Sequence, residues 1–285
     1  MKWRGRRGSR NIVDRRGRRS SGGMGGKSVG GIGLVVLLLA GAFFGVDVTP
    51  FLQGGGSNTT TVASGPVSEA DKEAGQFVSV VLADTEEIWT GIFRDQLGKT
   101  YDPVKLVLFS GVTHSPCGNA SGATGPFYCP ADRKAYLDTA FFTTLSRRMG
   151  AKGDFAAAYV VAHEVAHHVQ NELGILGEAN KVRATSSKAQ SNLISVKIEL
   201  QADCMSGVWA RQAAAKFGSV ERGDIEEAIN AARQIGDDTL QRNAGRVPSP
   251  HTFTHGTSEQ RMRWFTTGLE TGDVTACDTF GARQL

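Results

Sequence analysis

The stretch VAHEVAHHVQ, residues 161–170, sets the tightest condition on how this chain can fold. Two histidines, His163 and His167, bracket Glu164 in the pattern His-Glu-x-x-His, within an otherwise mostly apolar run. On a helix, residues four apart are separated by about 40° around the axis, so both imidazoles project from one face and reach a common point. Glu164 sits about 100° round from His163, near that point without being forced to occupy it. The pattern suits a metal ion, with the glutamate taking a proton from an attacking water. Two histidines leave a tetrahedral zinc one protein ligand short, so the fold must deliver a third from elsewhere.

The stretch IELQADCMSGVWA, residues 198–210, offers that ligand. Glu199 can complete a two-histidine, one-glutamate set. Asp203, one helical turn later on the same face, can accept a hydrogen bond from the free ring nitrogen of a ligating histidine and so fix its tautomer. His168 is rotated away from the ligand face and reads as a packing or surface histidine, and His114 stands alone in a loop.

The remaining pattern is mostly helical. Ser68 followed by Asp71 marks a helix start, and Phe77, Val80, Val81, Ile88, Ile92 and Phe93 keep helical spacing up to Gly98. KLVLF (105–109) reads as a strand, and residues 125–138 read as two strands around a turn at Pro130. Helices are expected at 140–148, from Gly153-Asp154 to Leu173 with Gly174 closing it, at 187–217 and at 223–235. Thr257 and Gln260 form a capping-box pattern that opens a last helix. A small sheet with helical surroundings places the domain in the α+β class.

Charge is unevenly spread. Residues 1–29 hold ten Lys or Arg against one acid, Asp14, while the rest carries 22 basic and 27 acidic residues. After this tail come 19 residues without a charge, Ser28 to Val46, close to the roughly 20 needed for a membrane-spanning helix. With the basic residues all on the N-terminal side, the positive-inside rule predicts a cytoplasmic tail and an extracytoplasmic domain. A cleaved signal peptide is the rival; its small-residue sites, Ala40 and Ala42, fall inside the apolar run rather than after it. The expected layout is a basic cytoplasmic tail (1–29), a transmembrane helix (30–48), a Gly/Ser/Thr-rich linker (49–66) and a domain (67–285) attached to the membrane by a single N-terminal span. Only charge supports nucleic-acid binding, and no nucleic-acid partner is expected. GMGGKS lacks the first glycine of a phosphate loop, since position 21 is Ser21.

Cys117, Cys129, Cys204 and Cys277 all fall on the expected outer side, which suggests disulfides, with Cys117–Cys129 the preferred local pair. Without a Cys-x-x-Cys spacing, a four-thiolate zinc site is disfavoured.

The motifs HEVAH and ELQAD together resemble the gluzincin metallopeptidases. Taken with GPFYCPADRKAYLD and SPHTFTHGTSEQR, the chain is similar to the bacterial neutral zinc metallopeptidases with an N-terminal membrane segment, over roughly Glu69 to Cys277. The resemblance implies His163, His167 and Glu199 as ligands to Zn2+ and Glu164 as catalytic base. HGTSEQR resembles a downstream His and Arg element of membrane gluzincins. It points to His255 rather than His251, together with Arg261, as groups facing the oxyanion of an attacked carbonyl. The strand around Tyr128 is a candidate edge for an extended peptide. The resulting expectation is a membrane-anchored zinc-dependent metalloendopeptidase acting on peptides or proteins. The alternative is a catalytically inactive, zinc-stabilised extracytoplasmic domain that binds peptides or partners. Substrate and oligomeric state stay open.

Overall fold

The computed structural model describes residues 1–17, 67–121 and 125–285. Their fold is mixed, with helices packed around a small sheet. The sheet runs β1 (Ile12–Asp14), β2 (Lys105–Phe109), β6 (Lys134–Asp138), β5 (Phe127–Cys129); β1 and β6 both lie parallel to β2, and β5 is antiparallel to β6. Alternation along the strands divides their side chains between two buried faces. Leu106, Leu108, Ala135 and Leu137 enter the main core under the helices, whereas Val107, Phe109, Tyr136 and Cys129 form a smaller cluster opposite. A separate hairpin joins β3 (Val112–Ser115) to β4 (Gly118–Ser121).

Helix α1 (Glu69–Asp95) starts where the sequence signals it, with the Ser68 side chain accepting from the Asp71 amide. After β6 come α2 (Ala140–Arg147), α3 (Asp154–Glu172), α4 (Ile175–Thr185), α5 (Lys188–Phe217), α6 (Asp224–Gln234), α7 (Asp237–Asn243) and α8 (Ser258–Thr271). The short α4 and α7 and the hairpin have no counterpart in the sequence reading. Disulfides close Cys117 to Cys129 and Cys204 to Cys277. The second ties α5 to the short 3-10 turn Val274–Cys277.

Residues 1–17 overturn the expected layout. Strand β1 hydrogen-bonds into the sheet beside β2, with Ile12 opposite Leu106 and Asp14 opposite Leu108. Trp3 is buried edge-on against Phe77, with ring centroids 5.5 Å apart. Arg6 grips the buried Asp84 through both terminal nitrogens, at 2.6 and 2.7 Å. A strand bonded into a sheet cannot be separated from that sheet by a hydrocarbon layer about 30 Å thick. The cytoplasmic tail, extracytoplasmic domain and single-span anchor joining them are therefore excluded as a topology. Residues 30–48 and 49–66, expected to be the transmembrane helix and linker, lie outside the described residues. Among those that are described, no helix is long and apolar enough to cross a membrane. Charge counting misled because it treats every arginine as solvated, whereas Arg6 and Arg16 pair with Asp84 and Asp14.

The close crossing of α5 and α8 aligns the functional residues. A Cβ on Gly207 would stand 2.0 Å from the Phe265 carbonyl oxygen, and one on Gly268 would stand 1.8 Å from that of Cys204. The helices therefore meet backbone to backbone, and only glycine fits at either position. Arg261, two turns before Gly268, is thereby brought onto Asp203, one turn before Gly207. Helix α3 is buried on nearly all sides by its run of small residues, including Ala156, Ala158, Ala162 and Ala166.

Candidate metal centre

Helix α3 opens after Gly153, whose φ of 101° suits glycine, and closes at the left-handed Gly174. Between these ends it presents His163 and His167 to α5. Their rings stand nearly perpendicular, with centroids 4.8 Å apart. Glu199 meets both: one carboxylate oxygen lies 3.1 Å from His163 Nε2 and the other 3.5 Å from His167 Nε2. One ligand atom from each of the three residues falls within 4.8 Å of the others, close enough to share one ion. Glu164 is buried beside them, and its Oε2 has no hydrogen-bond partner among the described residues.

Two imidazole nitrogens and a carboxylate match the donor set of a catalytic zinc site with one open position. The electrostatics also favour a cation. Burial opposes charge on His163, but Asp203 and Glu199 outweigh it and push the imidazole up to about 9. Burial would raise Glu199, yet the charge of His167 and the hydrogen bond with His163 hold it well below the usual carboxylate range. Carboxylates that stabilise an imidazolium in this cleft stabilise a divalent ion for the same reason. Burial lowers His167 and lifts Glu164 to about 7, placing the latter near neutrality for proton transfer.

Behind His163 stands Asp203, fully buried, with Oδ1 2.9 Å from Nδ1 in a contact that is off the line of an ideal hydrogen bond. Arg261 clamps Asp203 with Nε at 2.8 Å and Nη2 at 2.9 Å, and the Tyr159 hydroxyl donates to the same carboxylate. Arg261 is 2% exposed, so its guanidinium supports the back of His163 instead of facing a substrate. Expectation and structure differ here because the glycine crossing turns Arg261 inward. Tyr128 is likewise engaged elsewhere: its hydroxyl pairs with His168 Nδ1 at 3.0 Å, and His168 Nε2 reaches the Asp102 carbonyl at 2.7 Å. A carbonyl only accepts, so Nε2 carries the ring proton and Tyr128 donates.

His255 is held beside the trio by a residue the sequence reading missed. Asp237 accepts at 2.7 Å from the amides of Thr254 and His255 and at 3.1 Å from that of Gly256, while its other oxygen lies 3.1 Å from His255 Nδ1. The His255 side chain is 45% exposed, and its charge acts on both Glu164 and Glu199. His251 sits exposed in the 3-10 turn Pro250–Thr252. A second acidic group, Asp154, Asp224 and Glu227, is already served: the Met1 amino group donates to Asp154 and Asp224, and the Phe155 amide donates to Glu227.

Helices α3 and α5 thus bring His163, His167 and Glu199 to one point, with the buried Glu164 beside them. A family model described as "Putative neutral zinc metallopeptidase" matches residues 1–280, and the chain belongs to that family. It is 44% identical to the uncharacterized protein YpfJ of Escherichia coli (strain K12), over 99% of both chains. It is also 41% identical to the uncharacterized protein Rv2575 of Mycobacterium tuberculosis, over 75% of this chain and 74% of the relative. No solved structure matches. The family match begins at residue 1, in keeping with residues 1–17 being part of the fold.

Proposed function

We propose that this chain is a zinc-dependent peptidase. The observation that carries the proposal is the convergence of His163, His167 and Glu199 within 4.8 Å, beside a buried Glu164 oxygen that has no hydrogen-bond partner among the described residues. Zinc held there would polarise a peptide carbonyl and acidify water. Glu164, lifted to about 7, accepts a proton from the attacking water and returns it to the leaving amine. His255, fixed by Asp237, faces the developing oxyanion and stabilises it by hydrogen bonding. Asp203, Arg261 and Tyr159 hold the His163 ring in place.

Metal analysis of the purified full chain should find about one zinc per chain, the number one such ligand set binds. Glu164→Gln should keep that zinc and lose about 10²–10⁴-fold in peptide turnover, the usual contribution of a positioned acid–base group. If wild type and Glu164→Gln both bind zinc and are equally inert across a broad peptide library, the domain is a binding module and the peptidase reading fails.

A further inference from the structure

We propose that Gln170 is a positioning residue for His167, fixing the imidazole as its Nδ1–H tautomer so that the bare Nε2 points at Glu199. The metal-binding role this gives His167 rests on the reading above; the tautomer itself does not.

The assignment follows from two backbone carbonyls. Gln170 is fully buried, with its amide nitrogen 2.8 Å from the Ile198 carbonyl oxygen and 3.0 Å from Gln201 Oε1. Gln201, also buried, places its own amide nitrogen 2.9 Å from the Cys277 carbonyl oxygen. A side-chain amide can be turned end for end without changing its shape, so its orientation has to be read from its partners. Here the partners decide, because carbonyl oxygens only accept. Cys277 forces the Gln201 nitrogen toward it, which turns Gln201 Oε1 to Gln170. Ile198 and Gln201 Oε1 together then force the Gln170 nitrogen toward themselves.

The Gln170 oxygen is left facing His167 Nδ1 at 2.9 Å. An oxygen there can only accept, so Nδ1 must donate. A neutral imidazole has one ring proton, so Nε2 carries the lone pair. Nε2 is the atom 3.5 Å from Glu199. With either amide reversed, or the ring proton moved to Nε2, two acceptors or two donors face each other within the amide chain; with the proton on Nδ1 the acceptor–acceptor contact falls between Nε2 and Glu199, where a shared cation would bridge it. The amide chain thus works in one direction, from the carbonyl of the disulfide-bonded Cys277 to the ring of His167.

The test uses the full chain, metal-free, with ¹⁵N-labelled histidine. Long-range ¹H–¹⁵N spectra should show His167 protonated at Nδ1 in wild type, and Gln170→Leu should lose that preference. Zinc affinity, measured by competition with a chelator, should fall about 10–100-fold in Gln170→Leu, the usual cost of removing a ligand's outer partner. Gln201→Leu leaves the Ile198 bond in place and should cost less than Gln170→Leu. Protonation at Nε2 in wild type, or a folded Gln170→Leu within twofold of wild-type affinity, would overturn the assignment. If Gln170→Leu does not fold, the wild-type tautomer and the Gln201→Leu affinity decide. If wild type takes up no zinc, the peptidase reading falls, while the tautomer in the metal-free protein still decides this one.

Discussion

His163 and His167 meet the same carboxylate from the same helix, yet their far sides rest on unlike walls. Behind His163 is a desolvated ion pair, Asp203 with Arg261, closed off by Tyr159. Behind His167 is a chain of neutral amides ending on backbone carbonyls. Both walls can fix a tautomer, but they do so at different energetic risk. A buried ion pair gives direction through charge and is costly to break, because the surviving partner stays charged in the core. An amide chain carries no net charge, so its loss costs only the hydrogen bonds left unmade.

Mutations can separate the two walls. Asp203→Ala strands Arg261 in the core and should cost about 3–5 kcal/mol of stability, read from denaturant midpoints. Tyr159→Phe removes one hydrogen bond to a charged group and should cost about 1.5–3 kcal/mol in the same assay. Gln170→Leu, leaving neutral polar partners unsatisfied, should cost about 1–3 kcal/mol. A loss from Gln170→Leu as large as that from Asp203→Ala would remove the distinction between charged and neutral support.

The smallest effect concerns pH and a second carboxylate anchor, the half-buried Asp237. Burial alone would raise it, but the His255 hydrogen bond and charge and the loop amides hold it below its ordinary 3.8. A folded-state value below the unfolded one contributes stability that is complete above 3.8 and is lost as pH falls through the folded value. The stability gap between wild type and Asp237→Asn should therefore close on acidification below about 3.8. The amide of Gln170 does not titrate, so the gap for Gln170→Leu should not follow that course.

What sequence could reveal divides along the same physical lines. Helical spacing alone puts His163 with His167, and Glu199 with Asp203, on shared faces, and sets Glu164 about 100° round from His163; the structure brings His163, His167 and Glu199 together. Gln170 carried a visible signal, three residues beyond His167 on the same helix, but its role depends on carbonyls from α5 and the Val274–Cys277 turn. Asp237 reaches His255 only because the start of α7 folds under that loop. Helix α1 could be read from its periodicity, and α3 from the glycines that bound it. Strand β1, three residues long and flanked by arginines, has too short a pattern to stand out from a basic tail. Arg261 was found as a residue and misplaced in role, since the Gly207–Gly268 crossing that turns it inward is invisible to a one-dimensional reading.

The pairing of β1 with β2 also bears on the order in which the molecule can be completed during synthesis. Ile12 leaves the ribosome long before Leu106, its partner in the sheet, and Trp3 precedes Phe77, the ring it packs against. That segment must wait unpaired while the chain that receives it is translated. Contacts so distant in sequence close late and slow folding, and an unpaired strand edge is open to wrong partners meanwhile. Charge on an unpaired strand disfavours edge-to-edge pairing, and Arg10, Arg15 and Arg16 flank β1.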